Sequence, residues 1–410
     1  MAMLDLNFVR AQFPAFSSRV LSGHAFFENA GGSYPCKQVV ERLHRFYTDR
    51  KVQPYAPYPG AQEGGAEMDE ARTRLAALMS AKREEVSFGP STTANTFVLA
   101  NAVRVWLRGQ NAAIVVTNQD HEANSGPWRR LADEGIEVRE WQIDPATGHL
   151  DLAGLKALLA DGKVRLVCFP HCSNVVAEIN PVDEICAMAR AAGARTVVDG
   201  VSYAPHGLPD FAGLGADVYL FSAYKTYGPH QGIMLIGEAF GAELPVQGHW
   251  FNAGTLYKKF TPAGPDHAQI AACAGMADYI DALYGHHFAG DAPAGERNAR
   301  VHDLMRAAEV EAVAPLLDYL AGRNDLRLIG PRDAAARAPT VAVALHGAAE
   351  PVSEALGREG IACWGGDFYA VRPLEAMGVD LQKGVLRMSL THYTSGEDVQ
   401  RLIGALDRVL

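Results

Sequence analysis

The feature that most constrains the fold of this 410-residue chain is a repeated alternation of apolar, strand-like runs with helix-like segments. The run "EEVSFG" precedes "STTANTFVLANAVRVWL", "AAIVVTN" precedes "PWRRLADEG", and "VRLVCFP" precedes "PVDEICAMARAAG" and then "ARTVVDG". This alternation is typical of a mostly parallel sheet that helices cover on both faces. The first two-thirds of the sequence therefore predict an α/β fold.

The segment "ADVYLFSAYKTYGPHQGIMLIG", residues 216–237, interrupts this alternation. The link between "VYLFS" and "GIMLIG" is too short for a parallel crossover, which needs a dozen or more residues. We therefore expect two antiparallel neighbours, with Lys225 at the carboxyl end of the first strand. Open α/β sheets bind their ligands at that edge.

Other polar residues follow predicted strands at the same edge. Asp199 ends "TVVD", and Thr92 and Thr93 open a helix in "GPSTTANTF". His121 and Asn174 lie in loops after two further strands. Each has a structural alternative when it is considered alone: a turn-capping carboxylate, a plain helix cap, a structural histidine, and for Lys225 a lysine that reaches out to solvent.

Together these residues meet the needs of pyridoxal 5′-phosphate. A helix amino terminus with hydroxyl groups binds a phosphate, and a carboxylate keeps a ring nitrogen protonated. An aromatic side chain stacks on the ring, and a lysine forms an imine with the cofactor aldehyde. No dinucleotide-binding or Walker phosphate motif is present in the sequence as a competing site.

After about residue 270 the pattern changes to one long helix followed by short strands and helices, which predicts a small α+β domain. Thr394 and Glu397 fit a capping box for the last helix. Residues 51–67, rich in Pro, Tyr and Gly, are typical of a long functional loop.

Composition favours a small-molecule ligand. The net charge is −10 and no basic tract is present, which argues against nucleic-acid binding. The amino terminus does not resemble a signal peptide, and no apolar stretch approaches the ~18–20 residues of a membrane span, so we expect a cytoplasmic protein without a membrane role. The six cysteines are scattered, and "CFPHC" lacks a second ligand pair, so no metal site is expected.

Several blocks in the right order resemble the class V aminotransferases of pyridoxal-phosphate fold type I, and most closely the cysteine-desulfurase branch. The blocks are "FFENAGGS", "HEANSGPW", "HCSNVVAEINP", "VVDGVSYAPH" and "FSAYKTYGPHQGIMLIG". The resemblance implies a seven-stranded, mostly parallel sheet in a large domain of residues 25–270. A small domain would comprise residues 271–410 together with residues 1–24. It also implies a homodimer with active sites at the subunit interface.

The resemblance also implies a role for each site residue. Lys225 would form the imine and then move protons, Asp199 would pair with the ring nitrogen, and His121 would stack on the ring. The other site residues would contact the phosphate, the ring oxygen or the substrate. The phosphate would be bound by Thr92, Thr93, Ser222 and Tyr224, and the ring oxygen by Asn174 and Ser202. The substrate would be contacted by Ala30, Gly31 and Arg387. His267 is the candidate to contact the phosphate bound by the neighbouring subunit.

The departures from the family pattern concern the reaction. Desulfurases use a cysteine on a mobile loop, whereas "GGDFYAVRPLEAMGVDLQKG" contains none, and Cys363 lies in the strand-like run "IACW". We therefore expect an enzyme that acts on a small amino acid by C–S or other β-elimination, or by transamination. The alternatives are a true cysteine desulfurase that uses Cys363, an amino-acid epimerase, and a non-catalytic protein that binds through the same fold.

Overall fold

The computed structural model describes residues 3–410. Residues 1 and 2, which the domain prediction assigns to the small domain, lie outside the described residues.

The strands in chain order are β1 (Ala25–Phe26), β2 (Val86–Gly89), β3 (Ala113–Thr117), β4 (Glu137–Trp141), β5 (Val164–Pro170), β6 (Arg195–Asp199), β7 (Val218–Ser222), β8 (Gly232–Ile236), β9 (Leu326–Ile329), β10 (Thr340–Leu345), β11 (Ile361–Ala362), β12 (Trp364–Gly366) and β13 (Val385–Ser389). The first helices are α1 (Leu6–Arg10), α2 (Lys37–Arg45), α3 (Pro59–Leu78), α4 (Thr92–Trp106), α5 (Glu122–Arg129), α6 (Leu152–Leu159), α7 (Val182–Ala191) and α8 (Phe211–Leu214). The others are α9 (Glu238–Glu243), α10 (Leu256–Lys259), α11 (His267–Ala272), α12 (Ala274–His287), α13 (Ala294–Ala321), α14 (Ala349–Arg358), α15 (Val371–Ala376) and α16 (Gly396–Val409).

The central sheet has seven strands in the order β2-β8-β7-β6-β5-β3-β4. The pairs β7–β6, β6–β5, β5–β3 and β3–β4 are parallel, and β8 runs antiparallel to both of its neighbours. The predicted mostly parallel sheet and the antiparallel pair that brackets Lys225 are therefore confirmed.

The inner strands are continuous apolar runs because both faces of the sheet are covered. Every residue of β3, β7 and β8 is buried. Successive residues alternate between two cores: Val197 and Leu220 pack into one, and Val198 and Phe221 into the other. Only the strand ends remain for polar groups that meet a ligand.

A second sheet lies in the carboxyl-terminal part, with the antiparallel order β12-β13-β10-β9. Helices α13, α14 and α16 contribute to a third core against this sheet. The predicted small α+β unit is therefore present. Among residues 3–410, no helix has both the length and the apolar character needed to cross a bilayer.

The capping box of the last helix is shifted by one residue from the prediction. Ser395, not Thr394, is the N-cap, and it exchanges hydrogen bonds with Asp398 rather than with Glu397. Two adjacent hydroxyl residues and two adjacent acids give two registers that satisfy the same pattern. The Thr394 hydroxyl instead accepts a hydrogen bond from the Thr391 N–H, which stabilises the turn before the helix.

The prediction of a long loop over residues 51–67 is wrong in its second half, because α3 begins at Pro59. Proline is favoured in the first turn of a helix, where its missing N–H is not needed. Gly65 is buried, and a Cβ there would overlap the ring of Tyr55. Gly65 therefore allows the Tyr55 ring to pack closely against α3.

We predict that Gly232→Ala destabilises the junction of β8 with α4. A Cβ at Gly232 would overlap backbone atoms of Ser91 and Thr92, which cannot move without shifting the start of α4. Overpacking of this kind costs about 1–3 kcal/mol of unfolding free energy, measurable by chemical denaturation. The control is Gly357→Ala within α14, where the space is open; it should stabilise by about 0.5–1 kcal/mol. Equal stability of both variants would contradict the packing analysis.

Candidate active site

A cavity of about 910 Å³ lies where β5, β6 and β7 end, and Pro170, Asp199 and Ser222 are in its wall. All residues that the sequence predicts for the site line this cavity: Ala30, Gly31, Thr92, Thr93, His121, Asn174, Asp199, Ser202, Ser222, Tyr224, Lys225 and Arg387. His267, predicted to act in the neighbouring subunit, starts α11 and is not among the lining residues.

One end of the cavity is suited to an anion. Thr92 and Thr93 are the first two residues of α4, a helix of 15 residues whose N-cap Ser91 accepts a hydrogen bond from the Ala94 N–H. The Thr92 and Ser222 hydroxyls are 2.7 Å apart, so α4 and β7 present a joint pair of hydroxyl groups. The positive end of the helix dipole adds to their attraction for a phosphate.

Asp199 and Lys225 lie at the ends of adjacent strands. The Asp199 side chain is buried, and its Oδ1 accepts a hydrogen bond of 2.8 Å from the Val201 N–H. Burial raises the pKa of Asp199 to about 6, against the opposing effects of the Val201 N–H and the Lys225 charge. A nearby cation would restore this carboxylate to its charged form, which suits it to pair with a protonated ring nitrogen.

Lys225 lies in the single helical turn after β7, between Tyr224 and Thr226. Burial, together with the charge of Arg387, lowers the pKa of Lys225 to about 8, against the opposing effects of Asp199 and Glu28. A lysine in this range supplies a substantial share of neutral amine near physiological pH. That is the form that attacks an aldehyde or accepts a proton.

His121 is a neutral imidazole with a fixed tautomer. Its Nδ1 accepts a hydrogen bond of 3.0 Å from the Ala123 N–H, so the proton resides on Nε2. Burial lowers the pKa of His121 to about 3, helped by the charges of Lys225 and Arg387. The ring can thus lie against an aromatic ligand without introducing another charge.

The Arg387 guanidinium is paired with a carboxylate of the same chain. It is buried on β13, and its Nη2 donates to Glu28 Oε1 at 2.7 Å. The guanidinium stacks on the Phe368 ring at 3.8 Å. Burial lowers the pKa of Arg387, and the Glu28 carboxylate partly offsets this effect.

The cavity wall also includes a loop with unusual backbone. Phe368 and Tyr369 have φ of 54° and 55°, both in the left-handed region that glycine favours. The Phe368 carbonyl accepts a hydrogen bond from Asn174, and the Tyr369 carbonyl accepts one from the Glu122 N–H. These bonds hold the strained loop over the site.

Sequence reasoning missed Glu28, Asp120 and Phe368 as parts of the site. Asp120 lies one residue before His121 and is buried, and its pKa is raised well above the usual value by burial and by Asp199. Its position three residues after the end of β3 was a usable signal. Glu28 lies at an isolated bridge and Phe368 in a turn, where no strand or helix pattern marks a site residue.

Cys363 does not reach the cavity wall. It lies between β11 and β12, so the predicted continuous strand "IACW" is interrupted at this residue. It packs against the core of the second sheet, whereas the next residue, Trp364, lines the cavity. Burial raises the pKa of the Cys363 thiol to about 12, so almost none of it is thiolate at neutral pH.

The "CFPHC" segment has a structural role. His171 stacks on the Tyr203 ring with centroids 3.6 Å apart and forms a hydrogen bond of 2.9 Å with the Tyr219 hydroxyl. Cys168 and Cys172 are buried free thiols. Cys172 also lines the cavity, and burial raises the pKa of its thiol to about 12. In the part of the chain that the structure describes, no group of three or more His, Cys, Asp or Glu side chains could hold a metal ion.

Comparison with known proteins identifies the family. The family model described as Aminotransferase class-V matches residues 25–249 and 300–402. The chain belongs to the class V aminotransferases. An aminotransferase-like protein of Gibberella zeae is 32% identical over 416 residues, covering 98% of each chain. A cysteine desulfurase of Yersinia pestis is 30% identical over 423 residues, covering 98% of this chain and 97% of that protein.

Solved structures show the same fold. The cysteine desulfurase CsdA of Escherichia coli superposes with a TM-score of 0.81 at 24% identity, over 99% of this chain and 98% of that one. A cysteine desulfurase of Thermococcus onnurineus superposes with a TM-score of 0.85 at 22% identity, over 100% and 99% of the two chains. Fold type I is thereby confirmed.

Class V aminotransferases are pyridoxal 5′-phosphate enzymes, and the donor set in this cavity fits that cofactor. A helix amino terminus with a hydroxyl pair suits the phosphate, and Asp199 and Lys225 suit the ring nitrogen and the aldehyde. The Asn174 Oδ1 is buried and has no hydrogen-bond partner among residues 3–410, which leaves it available to a ring hydroxyl.

We predict that Arg387→Gln raises the pKa of Lys225 above about 8, because Arg387 is a cation that disfavours the protonated amine. Only the neutral amine reacts in reductive methylation, so the half-maximal pH for modification of Lys225 should move upward in cofactor-free protein. Peptide mass spectrometry measures the modified fraction. Lys259 is the internal control, since burial lowers its pKa without any contribution from Arg387. An unchanged or lower midpoint for Lys225 would contradict the charge assignment.

Proposed function

We propose that this class V enzyme catalyses β-elimination on a small amino acid, such as release of sulfur from Cβ, without forming a persulfide on the chain. The observation that carries the proposal is the wall of the cavity around residues 366–369. This part of the wall presents Asp367, Phe368 and Tyr369, and Cys363 packs against the core of the second sheet instead. Among residues 3–410, the one thiol in the cavity lining, Cys172, is buried, and burial raises its pKa to about 12.

In this proposal the large-domain residues hold the cofactor. Thr92, Thr93 and Ser222 bind the phosphate with the help of the α4 dipole, and Tyr224 donates to it as well. His121 lies against the ring face. Asn174 and Ser202 contact the ring oxygen.

Asp199 retains a proton at the ring nitrogen, because a buried carboxylate is stabilised by an adjacent cation. Held by these residues, pyridoxal 5′-phosphate would supply an electron sink for the electron pair released at Cα. Asp199 therefore controls how strongly that electron pair is withdrawn.

Lys225 first provides the covalent attachment and then, as a free amine, removes the proton from Cα. Its depressed pKa of about 8 suits both roles. Loss of the Cβ substituent follows. With cysteine, the overall reaction consumes water and gives pyruvate, ammonia and sulfide.

Arg387 anchors the carboxyl end of the substrate, with Ala30 and Gly31 beside it in the same wall. The guanidinium has several donors in a fixed plane, which suits it to orient a planar group. This orientation determines which bond at Cα is aligned for cleavage.

The persulfide alternative needs an ionised and accessible thiol, because the thiol form is a poor nucleophile. Cys363 has a pKa raised to about 12 and packs against the core of the second sheet. Transamination is the second candidate, supported by the aminotransferase-like relative of Gibberella zeae. The product assay below separates the three reactions.

We further propose a homodimer with shared active sites, in which His267 contacts the phosphate held by the partner subunit. Residues 25–270 form the large cofactor-binding domain, and residues 271–410 with the amino-terminal segment form the small one. These assignments follow the family resemblance.

Lys225→Ala should abolish the covalent bond between the chain and the cofactor. Borohydride should fix the cofactor to Lys225 in the unaltered protein, seen as added mass on that peptide, and to no residue in the variant. The control, Lys383→Ala, removes an exposed lysine that is not among the cavity-lining residues and should retain the added mass. Borohydride-stable cofactor in Lys225→Ala would disprove the role of Lys225.

With cysteine as substrate, the main carbon product should be pyruvate, released together with ammonia and sulfide, and Cys363→Ser should retain most of the turnover. Chromatography of the carbon product distinguishes the outcomes. Alanine as the main product, lost in Cys363→Ser, would show a desulfurase. A keto acid without sulfide would show transamination.

A further inference from the structure

Tyr369 is held in the cavity wall in a strained backbone conformation. It lies between β12 and α15, and its φ of 55° is in the left-handed region. Its N–H donates to Asp367 Oδ1 at 2.8 Å, and its carbonyl accepts from the Glu122 N–H at 2.9 Å. Glu122 also pairs with Arg372 at 3.0 Å, which joins α5 to α15 by a second contact. Strained residues that their neighbours fix in this way cluster at functional sites.

The side chain of Tyr369 reaches both the cavity and the solvent. The residue lines the cavity and is 72% exposed, so it lies where the cavity opens. The centroid of its ring is 5.6 Å from that of the His121 ring, which lies against the cofactor ring in the proposed function. Because the backbone bonds fix the position of Tyr369, its hydroxyl is not needed to hold the loop.

The proposed β-elimination needs a proton at the departing group. The electron pair released at Cα expels the substituent of Cβ, and that substituent leaves as an anion unless an acid protonates it. The more basic the departing atom, the more the reaction gains from the acid. A well-placed general acid contributes about 100- to 10,000-fold to the rate.

Other side chains near Tyr369 are poor acids. Burial lowers the pKa of His121 to about 3, so the acidic imidazolium form is absent at neutral pH. Asp367 and Glu122 act as acceptors, because they take hydrogen bonds from the Tyr369 N–H and from Arg372. A phenol, by contrast, keeps its proton at neutral pH and has one to donate.

We propose that Tyr369 is a catalytic acid that protonates the departing atom at Cβ of the substrate. The inference rests on the proposed function, since it assigns one step of that elimination. With a thioether substrate, the electron pair of the Cα–H bond forms the Cα–Cβ double bond, the Cβ–S bond breaks, and sulfur takes the hydroxyl proton of Tyr369. The Cα proton stays on Lys225. The Tyr369 phenolate then recovers a proton from water, which has access because the residue is exposed.

The test compares two substrates whose departing thiolates differ in basicity. S-ethyl-L-cysteine releases a basic alkyl thiolate, whereas S-(ortho-nitrophenyl)-L-cysteine releases a stabilised thiolate that needs no proton. Pyruvate release by the holoenzyme gives kcat/KM for each. Tyr369→Phe should lower kcat/KM for S-ethyl-L-cysteine by about 100-fold or more and leave that for the nitrophenyl substrate nearly unchanged. Phe368 has a φ of 54°, so the same backbone conformation accepts a phenylalanine.

Tyr47→Phe is the matched control. Tyr47 is 52% exposed and is not among the cavity-lining residues, so the loss of its hydroxyl should leave kcat/KM for both substrates unchanged. Circular dichroism of both variants verifies that they are folded.

The ratio of the two losses decides the outcome. Equal losses with both substrates in Tyr369→Phe would show that the hydroxyl only supports binding or structure, which would overturn the proposal. No loss with either substrate would also overturn it and would assign the proton to Lys225, which carries the proton taken from Cα. In both cases the elimination itself still occurs, so the proposed function stands. If the unaltered holoenzyme released no pyruvate from either substrate, the proposed function would be refuted, and this step with it.

Discussion

The structure depends on one constraint, which is that the central sheet is covered on both faces. Strands such as β3, β7 and β8 contain only buried residues, so no polar side chain along them can reach water. Within the sheet, charged groups can therefore meet a ligand only where the strands end. Asp199, Lys225 and the amino terminus of α4 meet at that edge because the topology offers them no other place.

Charged side chains that lie close together at one edge of the sheet must compensate one another's charge. Lys225 and Arg387 are cations with depressed pKa values, while Asp199 and Asp120 are acids with raised ones. Each shift is caused mainly by burial, so each group is held away from its preferred charge state. A ligand with its own phosphate and its own ring nitrogen supplies the missing partners, which couples binding to relief of this electrostatic cost.

The sequence was sufficient to predict the groups attached to strands. The order of strand and helix segments located Thr92, Asn174, Asp199 and Lys225 at one edge, and all of them line one cavity. Residues that reach the cavity from turns or isolated bridges could not be predicted in this way. The place of Glu28 depends on a bridge to Ser389, 361 residues later in the chain, for which no local pattern exists.

Local ambiguity explains the other errors. The capping pattern of the last helix fitted two registers equally well. The Pro and Gly residues of 51–67 are compatible both with a loop and with the start of a closely packed helix. In both cases the choice was made by packing partners distant in sequence. The intrinsic helix propensity of the residues predicts local structure only weakly where tertiary contacts determine it.

The left-handed backbone at Phe368 and Tyr369 limits how this enzyme family member can evolve. Branched residues such as Val, Ile and Thr are strongly disfavoured at such angles, so these two positions can sample few alternatives. Gly366, in the same wall, has an ordinary backbone and open space where a side chain would project. Natural variation in substrate range should therefore accumulate at Gly366, where a single mutation adds volume to the wall without disturbing the backbone of its neighbours.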